Sequence, residues 1–102
     1  MNLKEPQTEA NLREYIKHNY INSDDWYIIS AYQTLSEDFI REFQDKIDWH
    51  FIGLNDKSIK NIPFDLILLY INDMTKIFYI ETFQYLPEEQ FNLLKQICEV
   101  NK

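Results

Sequence analysis

The sequence is short of the residues that break, cross-link or anchor a chain. One glycine and three prolines among 102 residues rule against a glycine-rich loop that cradles phosphate and against low-complexity linkers. The single cysteine, Cys98, cannot close an intramolecular disulfide, which agrees with a reducing compartment. The longest unbroken apolar run, Leu66 to Ile71, is six residues, far below the roughly 20 needed to cross a bilayer. The N-terminal stretch MNLKEPQTEAN lacks the basic-then-apolar pattern of a signal peptide. Basic residues are in deficit as well: 10 against 17 acids give a net charge of −7 and a pI near 4.7, which disfavours direct contact with nucleic acid. The expectation is a soluble protein with no membrane association, working in the cytoplasm, or in the host cytoplasm if viral.

What is present is the material of a core. With 45% hydrophobic and 16% aromatic residues, the chain lies far from disordered compositions. Its length suits a single domain over residues 1–102, able to bury roughly two thirds of its unfolded surface. The acids are not spread evenly. Asp24, Asp25, Glu37, Asp38, Glu42, Asp45 and Asp48 face only Arg41 and Lys46 between positions 24 and 48, a local net of −5. Acidity of this kind either keeps an aromatic-rich domain in solution or presents a surface to a basic partner.

The hydrophobic spacing predicts helices first. Thr8 and Glu9 open a segment with Leu12, Tyr15, Ile16 and Tyr20 at helical intervals, giving a helix near 9 to 19 that stops in an Asn-rich turn. Ser23 or Asp24 can cap a second, with Asp24 and Asp25 in its first turn and Trp26, Ile29 and Gln33 on one side. Ser36 caps a third. Its Glu37 and Asp38 suit the positive end of the helix dipole, and Phe39, Ile40, Phe43 and Ile47 form an apolar stripe expected to be buried. Beyond Trp49 the pattern changes. Phe64 to Ile71 (FDLILLYI) and Lys76 to Thr82 (KIFYIET), joined by Asn72-Asp73-Met74-Thr75, read as a β-hairpin spanning 64–82, with His50 to Leu54 as a candidate third strand. A final helix over 87–99 begins at Pro87, with Phe91, Leu94, Ile97 and Cys98 facing inward. The expected fold class is therefore α+β: a helical N-terminal half, a small antiparallel sheet of two or three strands, and a C-terminal helix.

An Asp-Trp pair at Asp25 and Trp26 recurs at Asp48 and Trp49, the tryptophans being 23 positions apart. The stretch DWYIISAYQTLSEDFIREFQDKIDW resembles the unit W-x-x-I-S-x-x-Q-x-L-S-E-D-F-I-R-E-F that recurs in tandem in proteins of bacteriophages and large DNA viruses. The likeness covers Asp24 to about Ile52 and includes Ile29, Ser30, Gln33, Leu35, Ser36, Glu37, Asp38, Phe39, Ile40, Arg41, Glu42 and Phe43. A second copy begins and stops: Ile52 and Gly53 stand at the Ile-Ser step, and Asn55 to Lys60 keep nothing of the Leu-Ser-Glu-Asp run. Residues 24–49 thus read as one helical repeat-like unit joined to a separate half. The resemblance implies a viral or mobile-element origin. It brings no catalytic residue and no substrate.

Chemistry is sparse. His18, His50 and Cys98 are not at metal-ligand spacing. The paired acids Glu37-Asp38 and Glu88-Glu89 lie at helix starts, where the dipole accounts for them, and Ser23, Ser30, Ser36 and Ser58 lack a nucleophile-elbow context. No enzymatic activity, metal or cofactor is expected. Trp26 and Trp49 lie at the inner edge of amphipathic elements and read as core. Tyr27 and Tyr32 then become the aromatic candidates for an interface. The expected partner-binding set is Asp24, Asp25, Tyr27, Tyr32, Glu37, Asp38, Glu42 and Asp45. The leading expectation is a non-enzymatic inhibitor, of the anti-CRISPR kind, whose acidic face mimics nucleic acid in the basic groove of a host defence effector. An antitoxin or immunity-type protein neutralising a basic toxin would use the same electrostatics. A small assembly adaptor would instead use the hairpin edge for strand addition.

Overall fold

The computed structural model describes residues 1–74 and 80–100. Among the described residues the chain is helical throughout, with six α-helices and no strand: α1 (Glu9–His18), α2 (Ser23–Tyr32), α3 (Glu37–Glu42), α4 (Trp49–Ile52), α5 (Phe64–Met74) and α6 (Glu88–Val100), with 3-10 turns at Ile59–Asn61 and Ile80–Phe83. α4 packs on both α2 and α5, and α5 packs on α6. One apolar cluster joins Leu12, Trp26, Ile29, Phe39, Ile52, Ile67, Ile71, Phe83 and Leu94 across all of these elements.

The α+β expectation is overturned. Phe64 to Ile71 is not a strand but most of α5, and His50 to Leu54 is not a third strand: His50 to Ile52 belong to α4, and Gly53 and Leu54 form the turn that follows it. Of the proposed second strand, Ile80 to Thr82 lie in a 3-10 turn, while Lys76 to Tyr79 fall outside the described residues. The reasons are visible locally. Pro63 cannot donate to a ladder, and its carbonyl accepts from both Leu66 N and Ile67 N, each at 3.0 Å, opening a helix with Asp65 in its first turn. Three of the six residues from Leu66 to Ile71 are leucines, which favour helix over the β-branched pattern of a strand. Ile67, Ile71 and Met74 then fall on one buried stripe at helical spacing. In α4 the Asp48 side chain accepts from His50 N at 3.1 Å and Phe51 N at 3.4 Å, a cap on what the sequence suggested was extended chain.

The N-terminal helices stand close to where they were expected, with corrections at their ends. Thr8 caps α1 through Asn11 N, and Ser36 caps α3 through Phe39 N at 3.2 Å. The cap of α2 is Asn22 rather than Ser23 or Asp24: its side chain accepts from Asp25 N at 2.8 Å while Asp25 accepts from Asn22 N at 3.1 Å, a reciprocal capping box. α3 ends at Glu42 instead of running on to Ile47. Phe39, Ile40 and Ile47 are buried as the stripe required, but Phe43, at the turn, is only half-buried.

Candidate functional site

The polar motif residues Ser30 and Gln33 are structural, and their geometry explains why these types stand at these positions. Ser30, Gln33, Asn55 and Ser58 are buried polar groups. Each is hydrogen-bonded, as burial of a polar group demands. The Gln33 amide donates to Leu3 O at 2.6 Å and Glu5 O at 2.7 Å, and its Oε1 accepts from Gln7 N at 3.0 Å, so one side chain ties down the N-terminal arm. Asn55 donates to Ser30 O and Gln33 O, at 2.9 and 2.7 Å. Ser58 donates to Gln33 O at 2.9 Å while its oxygen accepts from Leu35 N at 2.8 Å. The Ser30 hydroxyl accepts from Asp48 N at 2.9 Å, and Asn61 donates to Leu35 O at 2.9 Å. The turn between α2 and α3 is thereby clamped by residues 55–61.

A second junction gathers around Arg13 of α1. Its guanidinium pairs with Glu9 at 3.2 Å and Glu42 at 2.8 Å, and lies 5.3 Å from the Phe39 ring centroid. The Ser36 hydroxyl donates to Glu9 and, with Arg13, holds that carboxyl below its ordinary pKa; Glu42 foremost among its partners raises Arg13. Trp26 sits beside Phe43, with ring centroids 5.5 Å apart, and Phe43 beside Phe39 at 4.6 Å. Trp49 stacks flat on Tyr70 of α5 at 4.0 Å and donates its indole N–H to Gln44 O at 2.9 Å. Both tryptophans are buried, at 7% and 6% exposure.

The expected partner-binding residues separate into two groups in the folded chain. Asp25 is committed to the α2 cap, Glu42 to Arg13, and Glu37 lies 3.8 Å from Arg41, which also holds Asp65 through two bonds of 2.9 and 3.0 Å. That bidentate contact lowers the Asp65 pKa and raises that of Arg41. Tyr27 is edge-on to Phe51 at 4.1 Å, and Tyr32 is 43% exposed. Asp24, Asp38 and Asp45 are exposed and make no ion pair among the described residues. The acidic face therefore offers fewer uncommitted carboxylates than the charge count suggests, because two arginines answer part of it internally.

Sequence reading did not find the open groove beside α2. About 520 Å³ in volume, it lies between the α1–α2 connection, the turn after α3 and the end of α5. Trp26, Ile47 and Trp49 form its apolar lining, with Asp45, Asp48, Asp73, Lys46 and His50 around them and Tyr20 at the edge. Only Asp45 among the expected partner-binding residues reaches it. The signal that could have located it is the repeated Asp-Trp pair, since the two tryptophans meet at this groove, but their convergence depends on how α2 and α4 pack. Among the described residues no group of three or more His, Cys, Asp or Glu is arranged to hold a metal ion, and no helix is long and apolar enough to cross a membrane. Comparison with protein-family models, with curated proteins and with solved structures gives no match.

Proposed function

We propose that the chain is a non-enzymatic interaction module whose exposed carboxylates bind a basic protein, and that the partner is a nucleic-acid-binding effector of a host, which the module inhibits. The observation that carries the reading is the set Asp24, Asp38 and Asp45: exposed carboxylates without an ion-pair partner among the described residues, in a chain of net charge −7. Such groups keep their field directed outward, where it can steer a basic surface into contact. The likeness of residues 24–52 to a repeat of phage and large-virus proteins supports a mobile-element origin. Strand addition at a hairpin edge is set aside, because Phe64 to Ile71 belongs to α5.

The test compares the wild-type protein with an Asp24→Lys, Asp38→Lys, Asp45→Lys variant as baits in bacterial lysate, with circular dichroism and the unfolding midpoint as fold controls. The wild type is expected to retain basic nucleic-acid-binding proteins that elute as salt rises, because exposed charges are screened within about 10 Å at 0.1 M. The folded variant is expected to lose that retention by about tenfold or more. Retention of non-basic proteins, or equal retention by the variant, would overturn the reading. Recovery of a basic toxin in place of a nucleic-acid-binding protein would keep the electrostatics and replace the partner.

A further inference from the structure

The groove beside α2 combines three properties that its separate parts lack. Its volume, about 520 Å³, is ample for a long side chain and its flanking backbone. Among the described residues its lining carries the carboxylates Asp45 and Asp48 beside Lys46, and Asp45 is exposed and makes no ion pair there. Its edge carries Tyr20, which at 88% exposure leaves its ring open to a second group. An aromatic ring so exposed costs hydration without contributing to the core, and a planar cation laid against it recovers contact on both sides.

We propose that this groove receives an arginine side chain from an extended basic segment of another protein. The inference rests on the reading of the chain as a binder of basic partners and names the place and chemistry of the contact. The guanidinium would lie over Tyr20 and pair with the Asp45 carboxylate, while the aliphatic stem of the arginine covers the apolar lining at Ile47. Arginine suits the groove better than lysine because its planar, weakly hydrated head can stack and pair at once. Asp48 contributes negative charge but is already held by the backbone N–H groups of His50 and Phe51, so it shapes the groove rather than closing on the ligand.

The two tryptophans of the chain, Trp26 and Trp49, both line this groove, so intrinsic fluorescence and the two indole N–H resonances report on it directly. The probe is hexa-arginine, titrated into the full-length protein at low salt, with hexa-lysine in parallel. Hexa-arginine is expected to shift the tryptophan emission and both indole signals, and to bind more tightly than hexa-lysine. Tyr20→Ala and Asp45→Asn should each weaken hexa-arginine binding by about two- to fivefold, as expected for an exposed cation–π contact or ion pair. Asp24→Asn with Asp38→Asn, neither of which lines the groove, should leave the tryptophan response in place. Neither groove substitution removes a core side chain, and an unchanged unfolding midpoint confirms that the fold is intact. Absence of a tryptophan response, equal response to hexa-lysine, or binding that survives both groove substitutions but disappears with Asp24→Asn and Asp38→Asn would overturn the inference. The last of these results would leave the acidic-module reading standing, whereas that reading falls if lysate yields no basic proteins or if the Asp24→Lys, Asp38→Lys, Asp45→Lys variant retains them equally.

Discussion

Residues 22 to 61 and the described residues of 64 to 100 are made of the same secondary structure but are held by different forces. In the first region the helices are short, α3 and α4 having six and four residues. Isolated helices of that length are not stable in water. They persist because Gln33, Ser30, Asn55 and Ser58 fix the turns between them through buried hydrogen bonds. In the second region α5 and α6 run to 11 and 13 residues, and Leu66, Ile67, Ile71, Met74 and Leu94 are buried apolar side chains. Polar links between the regions lie near the surface. Arg41 meets Asp65 at 2.9 Å, and the Tyr85 hydroxyl donates to Ile59 O at 3.0 Å while burial pushes its pKa up to about 12. The contrast teaches that a short-helix region needs directional polar clamps to choose one arrangement, whereas longer amphipathic helices can rely on burial, which is nondirectional.

The largest effect should come from the residue on which the first region and α1 converge. Phe39 is fully buried, touches the Trp26 and Phe43 rings and underlies Arg13. Phe39→Ala should destabilise the fold by about 3–5 kcal/mol, read from chemical denaturation. Half-buried Phe43 should cost clearly less when cut to alanine, reversing the equal weight that its place in the stripe suggested.

The comparison itself is broken or sharpened by matched substitutions. Asn55→Leu keeps the branching at Cγ, with bulkier branches, but strands the buried carbonyl of Ser30 and removes one of two donors to Gln33 O. A loss of about 2–4 kcal/mol is expected. Leu94→Met, in the apolar region, should cost less than about 1.5 kcal/mol because nothing polar is disturbed. Equal costs would show that the two regions are not held differently.

The smallest effect concerns pH. Glu9 has a folded pKa below its unfolded value, because Ser36 and Arg13 stabilise its charged form. Its contribution is therefore present above the unfolded glutamate pKa of about 4.3 and is lost as pH falls through the lower folded value. Glu9→Gln should flatten the acid limb of the stability curve slightly and leave the neutral region nearly unchanged, as measured by thermal midpoints across pH. The Glu9 side chain remains partly exposed, so screening keeps the effect small.

The first region was the more legible in sequence because its caps are chemical signals. Within it Ser36 announces α3 and Asp25 completes the box that opens α2, although Asn22 rather than Ser23 or Asp24 is the cap and α4 reads as extended chain; Thr8 announces α1, outside this region, in the same way. In the second region α6 is legible from Pro87 onward, but Phe64 to Ile71 reads as a strand for a physical reason: six consecutive apolar residues have no polar face to reveal a period, so strand and buried helix look alike. The deciding signal was Pro63, whose carbonyl starts α5. The candidate site divided in the same way. Clustered acids were countable, but Arg13, from outside the counted stretch, takes up Glu42, and no sequence spacing predicts that meeting across α1 and α3.

By itself the sequence determined that a core would form, that excess charge would be negative and concentrated between positions 24 and 48, and that helices would start near residues 9, 23, 37 and 88. Composition and capping act through neighbours along the chain, so a linear reading reaches them. Tertiary structure alone decided that Gln33 and Asn55 are buried clamps, that Glu37 and Glu42 are answered by arginines, and that Trp26 and Trp49 line one groove. Those outcomes depend on which distant groups share the low-dielectric interior or a common surface, and that is fixed only when the helices pack.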